Sequence, residues 1–339
     1  MEPRDQPSQQ IPRSAEIVEI GRQLSAVGVL VVEPRIDDGE DGPLGISGGC
    51  HRHLAFVDQQ WPRRAAQRDR AGILHIQNAR LLEEERAKQH LEEELNVART
   101  IQTGLLPAEL PKQGWFRACG SSIASRQVGG DYFDVRRLSP DLYACVIADV
   151  SGKGVSAALL AALLQGAFVF ASDGGASANG VAIDDIMTRV NRFLIERARG
   201  EKYATIVYCT INRNGELRWS NAGHPKPVVV RSSGELERLE STGLPIGMLD
   251  VAPYEVKTMQ LRAGDKIVFF SDGLSEAANA DGEFFEKKAL KDLLCIQPGA
   301  DCEELHAKLV EAVEDFSETS EQEDDITTLV VEYLPEPAP

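Results

Sequence analysis

Four aspartates, each at one end of an apolar run, constrain what this chain can become: Asp131 in GGDYFD, Asp149 in ADVSGKG, Asp272 in FFSDG and Asp324 in EDDIT. Every one of these runs reads as a buried β-strand. A sheet or sandwich built from them would carry all four carboxylates to a common point. Two unit negative charges 4 Å apart repel by roughly 4 kcal/mol at an effective dielectric of about 20, so such a convergence calls for a counter-ion. Mg²⁺ and Mn²⁺ prefer carboxylate, carbonyl and water oxygens. Two of them about 3.5–4 Å apart can clamp a phosphate and ionise a bridging water.

Composition narrows the partners. The 339 residues suffice for one large domain and a smaller segment, and 42% hydrophobic content is that of a globular protein. A net charge of −17 argues against nucleic acid or an anionic lipid surface, which both need a basic face. The opening MEPRDQPSQQ has no apolar core of signal-peptide type, and no run approaches ~18 consecutive apolar residues. The expectation is a cytoplasmic protein with no membrane partner. Six cysteines without a CxxC pair fit reduced thiols, and Cys145 and Cys209 sit inside strand-like runs as small core residues.

Three segments are expected: residues 1–72, a helical linker at 73–106 and a main domain at 107–335. Residues 1–20 are polar, 27–34 (VGVLVVEP) read as a strand, and 50–70 show no period. Together with the later QNARLLEEERAKQ, that strand resembles the end of a GAF-type sensor domain, of which 1–72 would be a truncated or divergent remnant. From Ile73 to Thr103 the composition of Leu, Glu, Ala, Lys and Arg predicts one long helix. Leu91, Leu95, Ala98 and Leu105 form a packing seam, in heptad phase with Leu74 and Leu81. Gln77, Glu84, Lys88 and Gln102 fall on the same seam and spoil it. Two readings stand: a solvated helix packed on its own domain, or a signal helix that makes a homodimer. Pro107 and Pro111 end it.

Beyond Trp115 the pattern alternates strands with helices. WFRACGSSIAS, YFDVRRL and LYACVIADV read as antiparallel strands. A helix follows over 155–171, apolar almost all round and hence expected to be buried, and another over IDDIMTRVNRFLIERAR. YATIVYCTIN, ELRWSNAG, PVVVR and KIVFFSD are strands, with a hairpin at RNGE. Helices near 284–294 and 301–315 precede the closing ITTLVVEYL. The predicted class is α+β: an α-β-β-α sandwich of two antiparallel sheets flanked by helix pairs, with an N-terminal linker helix.

The motifs differ in weight. The two glycines before Asp131 free the backbone for close approach and positive φ. Asp149 ends a strand, Gly152 and Gly154 let the chain turn into the next helix, and the Val150 carbonyl can supply a further oxygen. No Walker pattern accompanies this loop. Gly273 relaxes the turn after Asp272. His224 in NAGHPKP either donates a proton to a leaving group or fixes its loop. Cys50, His51 and His53 cluster without a second ligand group.

The ordered set GGDYFD, ADVSGKG, NAGHPKP, GLPIGML, FFSDG and DDITTLVV closely resembles the metal-dependent PPM, or type 2C, protein phosphatases, in the bacterial branch of SpoIIE and RsbU. The likeness runs from Val97 to Leu334. It implies that Asp131, Asp149, Asp272 and Asp324 are the catalytic carboxylates and hold two Mn²⁺ or Mg²⁺ ions, with Val150 through its carbonyl and Asp325 as an outer or additional ligand. It further implies direct attack of a metal-bridging hydroxide on phosphoserine or phosphothreonine. Ser151 stands where eukaryotic members have histidine, so the proton donor is Lys153, His224 or a water. The branch implies a phosphorylated STAS-type anti-sigma-factor antagonist as substrate and a linker helix that controls the metal site. The competing readings are a catalytically silent phosphatase fold that only binds, and a phosphodiesterase for a small nucleotide, which no base- or ribose-binding motif supports.

Overall fold

The computed structural model describes residues 61–174, 176–177, 180–296, 299–317 and 322–335. The strand expected at 27–34, the GAF-like reading and the Cys50, His51, His53 cluster lie outside them. The chain divides into Met1–Arg70 and Ala71–Pro339, and only the helical backbone of 61–70 is described for the first unit.

Helix α1 (Trp61–Leu105) begins well before Ile73. Pro62 suits a first turn, where a missing N–H costs nothing, and RRAAQRDR is rich in helix formers. A helix polar on every side has no apolar stripe to read, so periodicity could not find this stretch. Farther along, Leu81, Leu91, Val97 and Ile101 are exposed, whereas Leu95, Ala98 and Gln102 are half-buried. The end of the predicted seam thus turns toward the chain's own domain.

Two antiparallel sheets follow. One runs β1 (Phe116–Ile123), β12 (Ile326–Tyr333), β11 (Lys266–Phe270), β8 (Val228–Val230), β9 (Leu236–Arg238); the other runs β10 (Lys257–Gln260), β7 (Glu216–Ala222), β6 (Ala204–Asn212), β3 (Leu142–Val150), β2 (Asp131–Ser139). Strand alternation sorts their side chains into three layers. Cys145 and Ile147 of β3, Val207 and Cys209 of β6, Ile267 and Phe269 of β11, and Leu329 and Val331 of β12 meet between the sheets. Ala144, Val146, Ala148 and Val150 point the other way, onto helices α2 (Val155–Gly174) and α3 (Ile183–Ala198). Val268, Phe270 and Val330 meet Leu274 of the one-turn helix α4 (Asp272–Ser275), α6 (Cys302–Phe316) and α5 (Lys291–Ile296), the last preceded by a π-helical turn at Glu286–Leu290. The predicted α-β-β-α sandwich is what forms. Asp301 caps α6 by accepting from Glu304 N. The five cysteines among the described residues are free thiols.

Two features differ from the sequence reading. Helix α2 buries Ala157, Ala161, Leu164 and Phe168 but leaves Leu159, Leu163 and Phe170 exposed, so it is not buried all round. With a mean hydropathy of 1.9 over Val155–Ser172, it is long and apolar enough to cross a membrane by length and composition, although one face packs on the sheet. The edge strands β9 and β10 escaped notice because they are short and polar, as edges tend to be; so did the small ladder of β4 (Ala176–Ser177) and β5 (Gly180–Val181).

Candidate metal centre

The alternation that fills the inter-sheet layer also delivers its acids. Asp131 and Phe133 share one face of β2, and Cys145, Ile147 and Asp149 share one face of β3. Asp131 and Asp149 are register partners, and Thr205 of β6 is the next partner along. At this end of the sandwich the apolar packing gives way to carboxylates.

The opposite sheet contributes through a knot of short hydrogen bonds. Ser271 N donates to the Thr327 carbonyl at 3.0 Å, Ser271 Oγ to the Asp325 carbonyl at 3.0 Å, and Thr327 N to Ser271 Oγ at 2.9 Å. Asp272 therefore leaves β11 beside Asp324 and Asp325, which enter β12. A Cβ on Gly273 would lie 2.1 Å from the Asp325 carbonyl oxygen, so no other residue fits there.

Asp325 uses both carboxylate oxygens internally. Oδ1 accepts from Ser125 N at 2.8 Å and Ser125 Oγ at 3.1 Å, and Oδ2 accepts from Gly130 N at 2.6 Å. Its geometry is that of a clasp on the GGD turn. The two glycines of that turn do not adopt positive φ; they are needed for space. A Cβ on Gly129 would meet Asp325 Oδ2 at 2.3 Å, and one on Gly130 would meet the Val150 carbonyl oxygen at 2.9 Å. Gly152 and Gly154, with φ of 88° and 77°, do use the left-handed region.

The carboxylates perturb one another as like charges in a partly dry cleft must. Burial first, then Asp149, pushes Asp131 well above the usual carboxylate range, with the polar hydroxyls of Thr327 and Ser271 opposing. Burial, then Asp272, Asp324 and Asp325, pushes Asp149 up to about 7, with Lys153 opposing. Asp272 is raised by burial and by Asp324 and Glu276. Asp324 Oδ2 lies 3.1 Å from Lys153 Nζ, on half-exposed side chains.

Asp131 Oδ2 is buried without a hydrogen-bond partner, beside Asp149 and within the influence of Asp325. An orphaned carboxylate oxygen in an all-oxygen donor set fits a hard cation. Among the described residues no three His, Cys, Asp or Glu side chains already stand in ligating geometry, so the acids line the cleft without closing on one point.

His224 is buried and its Nδ1 lies 2.8 Å from Thr205 Oγ1. Asn221 brackets its backbone, accepting from His224 N at 2.9 Å and donating to its carbonyl at 3.1 Å. Burial pushes the imidazole down to about 3, which leaves it uncharged near neutral pH and favours the loop-fixing reading over proton donation. Ser151 Oγ accepts from Tyr203 N at 3.1 Å, and Lys202 Nζ donates to the Ser151 carbonyl at 2.8 Å. Asp272 lines two cavities, one of about 830 Å³ shared with His224, Lys226 and Arg238, and one of about 460 Å³ shared with Lys153 and Asp324. Ser125, Ser271 and Thr205 were invisible as site residues, since a lone hydroxyl carries no sequence signal.

A two-sheet sandwich with flanking helices and this acidic rim defines the PP2C class of phosphatase fold. The SiaA-PP2C domain of Pseudomonas aeruginosa superposes with a TM-score of 0.64 at 20% identity, over 73% of this chain and 98% of that one. Residues 139–334 match the family described as Stage II sporulation protein E (SpoIIE), and the chain belongs to that family. Protein IcfG of Synechocystis sp. is 28% identical over 261 residues, 70% of this chain and 41% of that protein. Phosphoserine phosphatase RsbU of Bacillus subtilis is 26% identical over 209 residues, 61% of this chain and 60% of that one. The match thus spans less than two thirds of either relative.

Proposed function

We propose that this protein is a Mn²⁺- or Mg²⁺-dependent serine/threonine phosphatase that hydrolyses a phosphoprotein. The observation that carries the reading is the buried, unpartnered Asp131 Oδ2 beside Asp149 at the end of the sandwich, with Asp272 and Asp324 entering from the other sheet. In this reading Asp131, Asp149, Asp272, Asp324 and the Val150 carbonyl hold a pair of ions. Bound divalent ions supply Lewis acidity, charge for the phosphoryl oxygens and a water ionised near neutral pH. The chain's part is to hold the acids in register through the β2–β3 ladder and the Ser271–Thr327–Asp325 knot, and to take up charge as protons leave Asp131 and Asp149. Asp325 acts on the turn that carries Asp131. Lys153, at the mouth of the cleft, adds positive charge toward an incoming phosphoryl group and is the better placed candidate to protonate the leaving alkoxide, since His224 stays neutral.

A phosphorylated STAS-type antagonist of an anti-sigma factor is the substrate we infer, supported by family membership and by the relative named phosphoserine phosphatase RsbU. A cytoplasmic site of action and a homodimer through α1 complete the proposal, the latter supported by exposed Leu81, Leu91 and Val97. The test is phosphate release from phosphorylated STAS protein with and without Mn²⁺. Release that needs Mn²⁺ and disappears in Asp149→Asn supports the reading; none from any phosphoprotein, by folded and Mn²⁺-loaded protein, refutes it.

One observation favours a second reading, a catalytically silent binding module: Asp324 is paired with Lys153. Calorimetry separates the two, because such a module need not bind Mn²⁺.

A further inference from the structure

Gln102 was a residue without a place in the sequence, a polar side chain on an apolar seam. Its place is at the GGD turn. Gln102 Nε2 donates to the Gly129 carbonyl at 2.7 Å, and Gly129 N donates to Gln102 Oε1 at 3.1 Å. One primary amide thus satisfies both polar groups of one peptide residue. A carboxylate of the same length has no donor for the carbonyl, and an apolar side chain offers neither bond.

The turn leaves little slack. Gly130 N donates to Asp325 Oδ2 at 2.6 Å, and the Gly130 carbonyl accepts from Val150 N at 3.3 Å. Asp131 then enters the ladder opposite Asp149. With Asp325 Oδ2 only 2.3 Å from where a Gly129 Cβ would stand, the Gly129 backbone packs directly against the carboxylate that clasps Gly130. Gln102 is also half-buried while its neighbour Ile101 is 63% exposed, so this side chain is what the last turns of α1 present to the turn.

We propose that Gln102 is a positioning residue for the cation site: it fixes the Gly129 peptide and, through it, the direction of the Asp131 carboxylate. The inference rests on the metallophosphatase reading for its cation. Removing the amide lets the turn relax, and Asp131 pays an ordering cost on binding that the native protein has already met. By linkage, a bound cation in turn holds α1 against the turn more tightly.

The test uses the full chain with Gln102→Ala and the shape-preserving Gln102→Met, first confirming unchanged thermal unfolding and circular dichroism for at least one of them. Amide exchange in the metal-free protein reads the clamp directly: the Gly129 N–H exchanges about tenfold faster in the variants, the scale of one lost hydrogen bond, while Ile147 is unaffected. Mn²⁺ titration calorimetry reads its consequence. Affinity falls about tenfold in both variants, with about 1.4 kcal/mol lost. Mn²⁺ binding that survives both substitutions unchanged, despite quickened Gly129 exchange, overturns this inference alone. Wild-type protein that takes up no Mn²⁺ overturns the metallophosphatase reading, and this inference with it.

Discussion

Asp131 and Asp149 are register partners at the end of the β2–β3 ladder, both on the face that looks between the sheets. Two carboxylates opposed across neighbouring strands destabilise a sheet, and burial compounds the cost. The fold keeps this unfavourable pair at one rim and satisfies its surroundings: Asp325 is hydrogen-bonded through both oxygens, while Asp131 Oδ2 is left without a donor. Strain of this local kind is characteristic of functional sites.

Relief of the repulsion should stabilise the protein while destroying its chemistry. Asp149→Asn is expected to raise the stability of metal-free protein at pH 8 by about 1–3 kcal/mol, the scale of a buried polar group freed of an unmet charge. Phosphate release in Mn²⁺ should fall by more than about 100-fold, beyond what outer contacts of a metal site are worth. Urea unfolding and a phosphate assay on the same preparation check both.

Asp325→Asn should do the reverse to stability. The amide oxygen can accept from Ser125 N or from Gly130 N, whereas the amide NH₂ only donates, so the other buried donor is orphaned at a cost of about 1–3 kcal/mol. Asp324→Asn, at a half-exposed residue paired with Lys153, should change metal-free stability by less than about 1 kcal/mol. Three adjacent acids with three different signs or sizes of effect would separate clasp from cation ligand.

The pH dependence follows from Asp149, raised to about 7 from an ordinary value near ~3.9. Between those values the folded state holds a proton that the unfolded chain has released, so this contribution to stability is full below the lower value and is lost as pH rises through about 7. Asp131 and Asp272, also raised, add in the same direction. Metal-free protein should therefore melt at a lower temperature at pH 8 than at pH 5.5 (both about one unit or more from the midpoint, where a titration is largely complete). Mn²⁺ should remove most of the difference. Calorimetry in buffers of different ionisation enthalpy should show proton release on Mn²⁺ uptake near neutral pH.

A distant pair supplies the control. Asp265, fully buried, accepts from Arg231 Nη1 at 2.7 Å, Ser232 N at 3.0 Å and Arg262 N at 2.9 Å. Asp265→Ala should cost about 1–3 kcal/mol by leaving Ser232 N and Arg262 N without their acceptor and Arg231 with Glu237 as its remaining carboxylate partner, with phosphate release per folded molecule unchanged.

Much of this was legible in the sequence because strand alternation and strand ends carry it. The α-β-β-α layering followed from apolar runs such as Ile267–Phe270 and from helices with one apolar face. The four aspartates stood out because each interrupts or borders such a run. What could not be read were contacts that depend on three dimensions. Ser125 meets Asp325 across 200 residues of chain, and Gln102 meets Gly129 from a helix whose seam reads equally as one packed on its own domain or one that meets a partner helix. The start of α1 was hidden for a different reason, since a run of helix formers without an apolar stripe has propensity but no period. The exposed apolar side of α2 was hidden because composition alone does not say which face a sheet will cover.

The central claim is that Asp131, Asp149, Asp272 and Asp324 close around divalent cations. A crystal structure of the full chain grown in Mn²⁺, with anomalous data collected at the manganese edge, tests it most directly. The account predicts two anomalous peaks about 3.5–4 Å apart, within ligating distance of those four carboxylates and the Val150 carbonyl. Mn²⁺ at other sites with no peak at this rim, or carboxylates that stay apart in saturating Mn²⁺, would contradict it.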